Sequence, residues 1–269
     1  MSEERFIAVG GNKLRVLIDG RADKPWLTML HGAATNVHLW DAQIAPLESL
    51  FHILRIDVRG HGKSSAEIVA QDFDGLVADV IAVWDALGIR KSSVMGLSLG
   101  GMTGFGLAIA HPDRIERLIA ADCRSDAPDF FAKSWVTRLQ VLKDKGMEGI
   151  AEVTVPMWMA QAAKEGRADV LAGAREMIMT TSDPGYISVA KPLMVLDYKK
   201  DLHKIRCPTL LIVGSLDGPH PEEMRQMADL IPGAKYAVVE GAGHLSCFDQ
   251  PERFNAALHD YLKSDGAIH

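Results

Sequence analysis

Apolar residues along this chain fall into two alternating patterns, and the alternation predicts an architecture. Short, continuously apolar runs occur at "PWLTML" (25–30), "FHILRIDV" (51–58), "SSVMG" (92–96), "RIERLIAAD" (114–122), "PTLLIVG" (208–214) and "KYAVVE" (235–240). Runs of this length with little polar alternation are expected of strands buried on both faces. Between them the apolar positions recur at helical spacing. Leu76, Val80, Val83, Trp84 and Leu87 share one stripe of 72–87, with Asp72 placed to cap its start. "GMTGFGLAIA" (101–110), "PEEMRQMADLI" (221–231) and "PERFNAALHDYL" (251–262) read as further helices, the last with Phe254, Leu258 and Leu262 inward. Near the start, "RFIAV" and "KLRVLID" flank "GGN", the signature of a hairpin.

The pattern changes from 125 to 199. Helical stretches rich in Met and Trp follow one another there, punctuated by Pro156, Gly166, Gly173 and Pro184, without a clear strand. On either side, strands alternate with helices. That order predicts an α/β fold with a mostly parallel, twisted sheet flanked by helices. Residues 1–124 and 200–269 then form the core domain, and 125–199 a helical cap inserted over the carboxyl ends of the strands, where open α/β sheets bind ligands.

Composition narrows the class. The 269 residues are 48% hydrophobic and 24% charged, the profile of a soluble globular protein. No apolar run approaches the roughly 18 residues of a membrane span, and the acidic start is no secretion signal. A net charge of −6 without a basic cluster weighs against nucleic acid and anionic membranes as partners. Cys123, Cys207 and Cys247 are widely spaced and odd in number, so neither a metal pattern nor a disulfide framework is expected, and a reducing cytoplasm is the simplest setting.

The densest chemical signal is "SVMGLSLGGMTGFG" (93–106). Gly96-Leu97-Ser98-Leu99-Gly100 lies between a predicted strand and a predicted helix. A G-x-S-x-G there makes a turn tight enough to strain the serine and project its hydroxyl above the sheet. A serine hydroxyl becomes a nucleophile only when a neighbouring base takes its proton. His244, in the glycine-loosened loop "EGAGHLS" after the last strand, is the candidate base. Asp217, just beyond "LLIVG", is the candidate acid; Asp122, at the end of "RLIAAD", competes with it. In "MLHGAATNVHLW" a turn after a strand can supply the Ala33 N–H, and Leu99 follows the nucleophile. Two such donors would stabilise a developing oxyanion. His31 reads as a pin for that loop, and Arg59 and His61 in "DVRGHGKS" as parts of a structural turn.

With these residues in place, the chain resembles the α/β-hydrolases over essentially its whole length. H-G-x-x, D-x-R-G-H-G, G-x-S-x-G-G, an acid loop and G-x-G-H follow in order. Within that superfamily it is most similar to 3-oxoadipate enol-lactonases and related carboxylesterases, a branch suggested by the cap pattern "SWVTRLQVLKDKGMEGI". Such enol-lactonases often carry N-S-L-G-T where this chain has His31-Gly32-Ala33-Ala34-Thr35, a departure that bears on substrate rather than reaction class. The resemblance implies a Ser98–Asp217–His244 triad with Ala33 and Leu99 as oxyanion donors, and no metal or other cofactor. It also implies a small ester or lactone substrate bearing a carboxylate, so a cation is expected in the pocket. Arg124 is the best placed, then Lys133. Trp135, Met157, Trp158 and Met159 are candidates for an apolar wall. The same triad would serve hydrolytic C–C cleavage, cofactor-free perhydrolysis, or a ligand-binding receptor on a hydrolase scaffold, and the residues leave these open.

Overall fold

Ser92–Leu97 and Thr209–Gly214 are buried at every position, as strands covered by helices on both faces must be. The computed structural model describes residues 2–67 and 72–267. Among these, eight strands form one sheet: β1 (Glu3–Val9), β2 (Asn12–Gly20), β3 (Trp26–Leu30), β4 (His52–Ile56), β5 (Ser92–Leu97), β6 (Ile115–Ala121), β7 (Thr209–Gly214) and β8 (Lys235–Val239). Their spatial order is β1-β2-β4-β3-β5-β6-β7-β8. The β1–β2 hairpin and the β2–β4 pair are antiparallel. Every later pair is parallel. The carboxyl ends of β3 to β8 therefore lie along one edge of the sheet, and the loops that leave them meet there.

The helices α1 (Asp41–Leu47), α2 (Phe73–Ala86), α3 (Leu99–Ala110), α8 (His220–Leu230), α9 (Ser246–Asp249) and α10 (Pro251–Ser264) accompany the sheet. Asp72 caps α2 as expected, its side chain accepting the Gly75 N–H at 3.0 Å. Phe254, Leu258 and Leu262 of α10 are all buried. Two short helices escaped the sequence pattern, α1 and α9, because seven and four residues are too few to display a period.

Between β6 and β7 run α4 (Asp129–Trp158), α5 (Ala160–Glu165), α6 (Ala168–Met179) and α7 (Asp183–Met194). The ends of this stretch are clasped: Ala127 N–H donates to the Leu196 carbonyl at 2.9 Å, and Tyr198 N–H to the Ser125 carbonyl at 2.8 Å. Only part of the expected punctuation holds. Gly166 ends α5 in the left-handed region, and Pro184 sits in the first turn of α7, which Ser182 caps. Pro156 and Gly173 lie inside helices instead. The break within α4 falls at Gly146, at φ 64°.

Candidate active site

Ser98 leaves β5 with φ 53° and ψ −114°. Among the described residues only Ala34, Ser98 and Asp122 take positive φ without being glycine. All three stand just past the carboxyl ends of sheet strands, and strained backbone of this kind persists only where surrounding structure over-determines it. The flanking glycines are a steric requirement. A Cβ on Gly96 would overlap the Gly100 carbonyl, and one on Gly100 the Leu30 carbonyl. The turn lifts the hydroxyl off the sheet at the start of α3.

Two loops from distant sequence reach that hydroxyl. Ser98 Oγ lies 3.2 Å from His244 Nε2, and His244 Nδ1 lies 2.9 Å from Asp217 Oδ2 and 3.1 Å from Oδ1. A carboxylate accepts only, so Nδ1 carries the proton and Nε2 is left to accept from the serine. Burial pulls Asp217 toward its neutral form. The charge of His244 and the hydrogen bonds from His220 and His244 outweigh it, holding the carboxyl well below the usual range. His220 is therefore part of the cluster. Its Nδ1 donates to the Asp217 backbone carbonyl at 3.1 Å and approaches Oδ1 at 3.4 Å. Burial pulls His220 down, but bonding to Asp217 wins and its pKa is raised.

Asp122 does something else. Oδ1 accepts the Gly214 N–H at 2.8 Å, while Oδ2 accepts the Ser246 N–H at 3.0 Å and the Ser246 hydroxyl. It ties the acid loop and the histidine loop to the end of β6 without bonding His244. Burial first, then the charge of Asp217, pushes its carboxyl well above the ordinary range. A group held toward neutrality is a poor partner for an imidazolium.

On the opposite side, Leu99 is the first residue of α3, where an N–H has no intrahelical acceptor. Ala33 lines the pocket beside it. His31 is fully buried behind this loop: Nδ1 donates to the Gly32 carbonyl at 2.7 Å, and Nε2 accepts the Val58 N–H at 2.9 Å. Both nitrogens are engaged, as a pin requires. Arg59 pairs with Asp79, and His61 Nδ1 donates to the Arg59 carbonyl at 3.0 Å. Burial, then repulsion from His31, lowers His61 to about 3.

A pocket of about 420 Å³ opens above Ser98. Trp135, Met157 and Trp158 line it as expected. Met159, the non-helical residue between α4 and α5, is instead completely buried and outside the lining. Lys133 is exposed and outside the lining. Arg124 does line the pocket, yet its guanidinium is occupied. Nε donates to the Asp126 carbonyl at 2.7 Å, Nη2 meets Glu223 at 3.1 Å, and the Phe131 ring covers it at 4.6 Å. Arg138 is the cation with capacity to spare. It meets the Thr154 hydroxyl at 3.3 Å and the Trp135 ring at 5.4 Å, and among the described residues it makes no ion pair. Beside it, burial pushes the Tyr186 phenol up against the opposing charge of Arg138.

Residues 29–257 match the alpha/beta hydrolase family. This chain belongs to that family. The hydrolase is 31% identical over 245 residues to 3-oxoadipate enol-lactonase 2 of Acinetobacter baylyi, with 91% of each chain covered. It superposes on the enol-lactonase from Burkholderia xenovorans LB400 with a TM-score of 0.91 at 31% identity, covering 96% of this chain and 100% of that one. A thermophilic esterase from Thermogutta terrifontis, solved with malate bound, is 28% identical with a TM-score of 0.89, covering 97% of this chain and 98% of that one.

Two pocket residues of the hydrolase escaped the sequence reading. Arg138 carried a usable signal, since it lies three positions after Trp135 and so shares its helix face. His220 carried none, because a histidine three residues past an aspartate at the start of a helix has no preferred direction that the sequence reveals. Asp217, His220 and His244 place their ligand-type atoms within 4.8 Å of one another, the spacing of a metal site. Nδ1 of both imidazoles is already committed to Asp217. Among the described residues no helix is long and apolar enough to cross a membrane.

Proposed function

We propose that the protein is a serine hydrolase cleaving a small carboxylic ester or lactone through an acyl-enzyme, with an acyl group that carries a carboxylate, in the manner of a 3-oxoadipate enol-lactonase. The observation that carries the reading is the hydrogen-bonded line from Ser98 Oγ through both nitrogens of His244 to Asp217, in a largely apolar pocket. Ser98 attacks the carbonyl as His244 Nε2 takes its proton. The oxyanion that forms is met by the N–H groups of Ala33 and Leu99, each such donor being worth on the order of 10²–10³ in rate. Asp217 stays ionised and stabilises the imidazolium. His244 then returns the proton to the leaving oxygen and, in the second half, activates water against the ester of Ser98.

Arg138 is assigned to the substrate carboxylate in preference to Arg124. A guanidinium whose neighbours are the Thr154 hydroxyl, the Tyr186 phenol, the Met157 thioether and an indole face still has donors to offer, whereas Glu223 already neutralises Arg124. The names of the relatives agree with an acidic substrate: one acts on a 3-oxoadipate enol-lactone, and another was solved with a dicarboxylate bound. The test is a panel of carboxylate-bearing lactones, neutral short esters and diketones on one preparation. The reading expects turnover of the first two, with the larger kcat/KM for the acidic lactones. Turnover confined to diketones, or none at all, overturns it.

A further inference from the structure

The loop carrying His244 is held from two sides. From the sheet, Asp122 accepts the Ser246 N–H, and Ser215 Oγ accepts the Gly241 N–H at 2.9 Å. From the cap, the carbonyl of Trp158, the last residue of α4, accepts the N–H of His244 itself at 3.0 Å. Gly243 permits that approach, because a Cβ there would overlap the Trp158 carbonyl oxygen. The Trp158 indole also lies 5.6 Å from the imidazole, centre to centre.

A second cap residue reaches the same loop through a carboxylate. Arg167, between α5 and α6, donates through Nη1 to the Asp249 carbonyl at 2.8 Å and pairs through Nη2 with Asp249 Oδ1. Asp249 Oδ2 in turn accepts the Gly243 N–H at 2.8 Å. The Asp249 side chain is wholly buried while that of Arg167 is 26% exposed, and Glu165 holds the Arg167 Nε at 3.0 Å. The successive amides of Gly243 and His244, which set the direction of the imidazole, are thus both bonded to the cap or through a residue that the cap holds.

We propose that the cap positions the base: the Trp158 carbonyl and the Arg167–Asp249 pair fix the Gly243–His244 backbone, so that His244 Nε2 meets Ser98 Oγ only while α4, α5 and α6 are seated. Neither Arg167 nor Asp249 lines the pocket, and both act as positioning residues through His244. The inference rests on His244 being the general base. Proton transfer needs the base within hydrogen-bond reach. A displacement of about 1 Å at a reacting group costs on the order of a hundredfold. Unseating the cap would therefore loosen the base, and reseating it would restore the contact.

The experiment compares Arg167→Gln and Arg167→Lys, each in the parent and in a His244→Ala background, with kcat and KM measured on a small neutral ester. Arg167→Gln is expected to lower kcat by about tenfold to a hundredfold, with KM changed by less than about threefold. Arg167→Lys recovers part of the loss, since an ammonium keeps the charge beside the carboxylate but lacks the fork of Nη1 and Nη2 that grips both Asp249 groups. In the His244→Ala background Arg167→Gln leaves the residual rate unchanged, because nothing remains for it to position. An unaltered kcat in Arg167→Gln, or the same loss with and without His244, overturns the proposal. A His244→Ala chain that keeps the parent rate would instead remove the base itself, a result distinct from a silent Arg167→Gln in an enzyme that needs His244.

Discussion

Two buried aspartates lie close to the imidazole loop, and replacing each by asparagine is expected to damage different quantities. Asp122 spends both oxygens on donors: Gly214 N–H on one, Ser246 N–H and hydroxyl on the other. An amide in its place offers one oxygen and one NH₂, so one backbone N–H is left facing a donor. An orphaned buried donor costs roughly 1–3 kcal/mol. At about 2–4 °C per kcal/mol for a chain of this size, Asp122→Asn should melt a few degrees to about 10 °C below the parent. Asp217→Asn acts on the tautomer. His220 Nδ1 donates to the Asp217 carbonyl and stands 3.4 Å from Oδ1, so the amide oxygen of an asparagine belongs on the Oδ1 side. The NH₂ then replaces Oδ2, the atom 2.9 Å from His244 Nδ1. A donor there forces the proton of His244 to Nε2, where it can no longer accept from Ser98. Loss of the correct tautomer costs up to about 10⁴ in kcat, or roughly 5.5 kcal/mol. The assay is kcat on one ester beside a thermal melt for both variants, with rates expressed per folded molecule. An Asp122→Asn chain that melts with the parent yet loses three orders of magnitude in kcat, beside an active Asp217→Asn, would refute this assignment.

Ser98→Ala should abolish ester turnover while leaving the melting temperature near the parent's, and a fluorophosphonate probe should label the parent once, at Ser98; labelling elsewhere contradicts the nucleophile. Arg138→Met should raise KM for carboxylate-bearing substrates by about tenfold or more, as expected when a charge-assisted bond worth about 1.5–3 kcal/mol is lost, while neutral esters keep theirs; an equal effect on both classes returns Arg138 to a packing role. His61 ties stability to pH. Its folded pKa of about 3 lies below the ordinary 6.5, so the unfolded chain takes up a proton first and stability falls as pH drops from above 6.5 toward 3. Between pH 7 and 4.5 the loss from this group is on the order of a few kcal/mol. His61→Gln, followed by urea unfolding at both pH values, should shrink the parent's acid loss by that amount, and an unchanged loss would show that His61 is not the group responsible.

The order of strands and helices, the elbow at Ser98 and the place of His244 were legible in the sequence because each depends on neighbours a few residues away. Gly96 must be glycine on account of Gly100 in the same turn, although Gly100 is pressed by the Leu30 carbonyl at the end of β3, and a continuous apolar run buries itself wherever it is put. The helical stretch between β6 and β7 was visible as a change of pattern, though its break fell at Gly146 rather than at Pro156 or Gly173, since packing decides whether a proline or glycine interrupts a helix. The choice between Asp122 and Asp217 was a different matter. Both follow strands and both are aspartates in turns. What separates them is which loop curls back over the sheet edge, and that depends on contacts between segments some hundred residues apart in the chain. The same holds for the cations, where Arg124 looked better placed until Glu223, brought in by α8, neutralised it and left Arg138 with donors to spare. The Trp158 carbonyl that grips His244 arrived in the same way, whereas His220 reaches Asp217 from only three residues along the chain. Local sterics write the strained turn at Ser98 into the sequence; charge partners, protonation and the position of the His244 ring arise only when distant loops share one edge of the sheet.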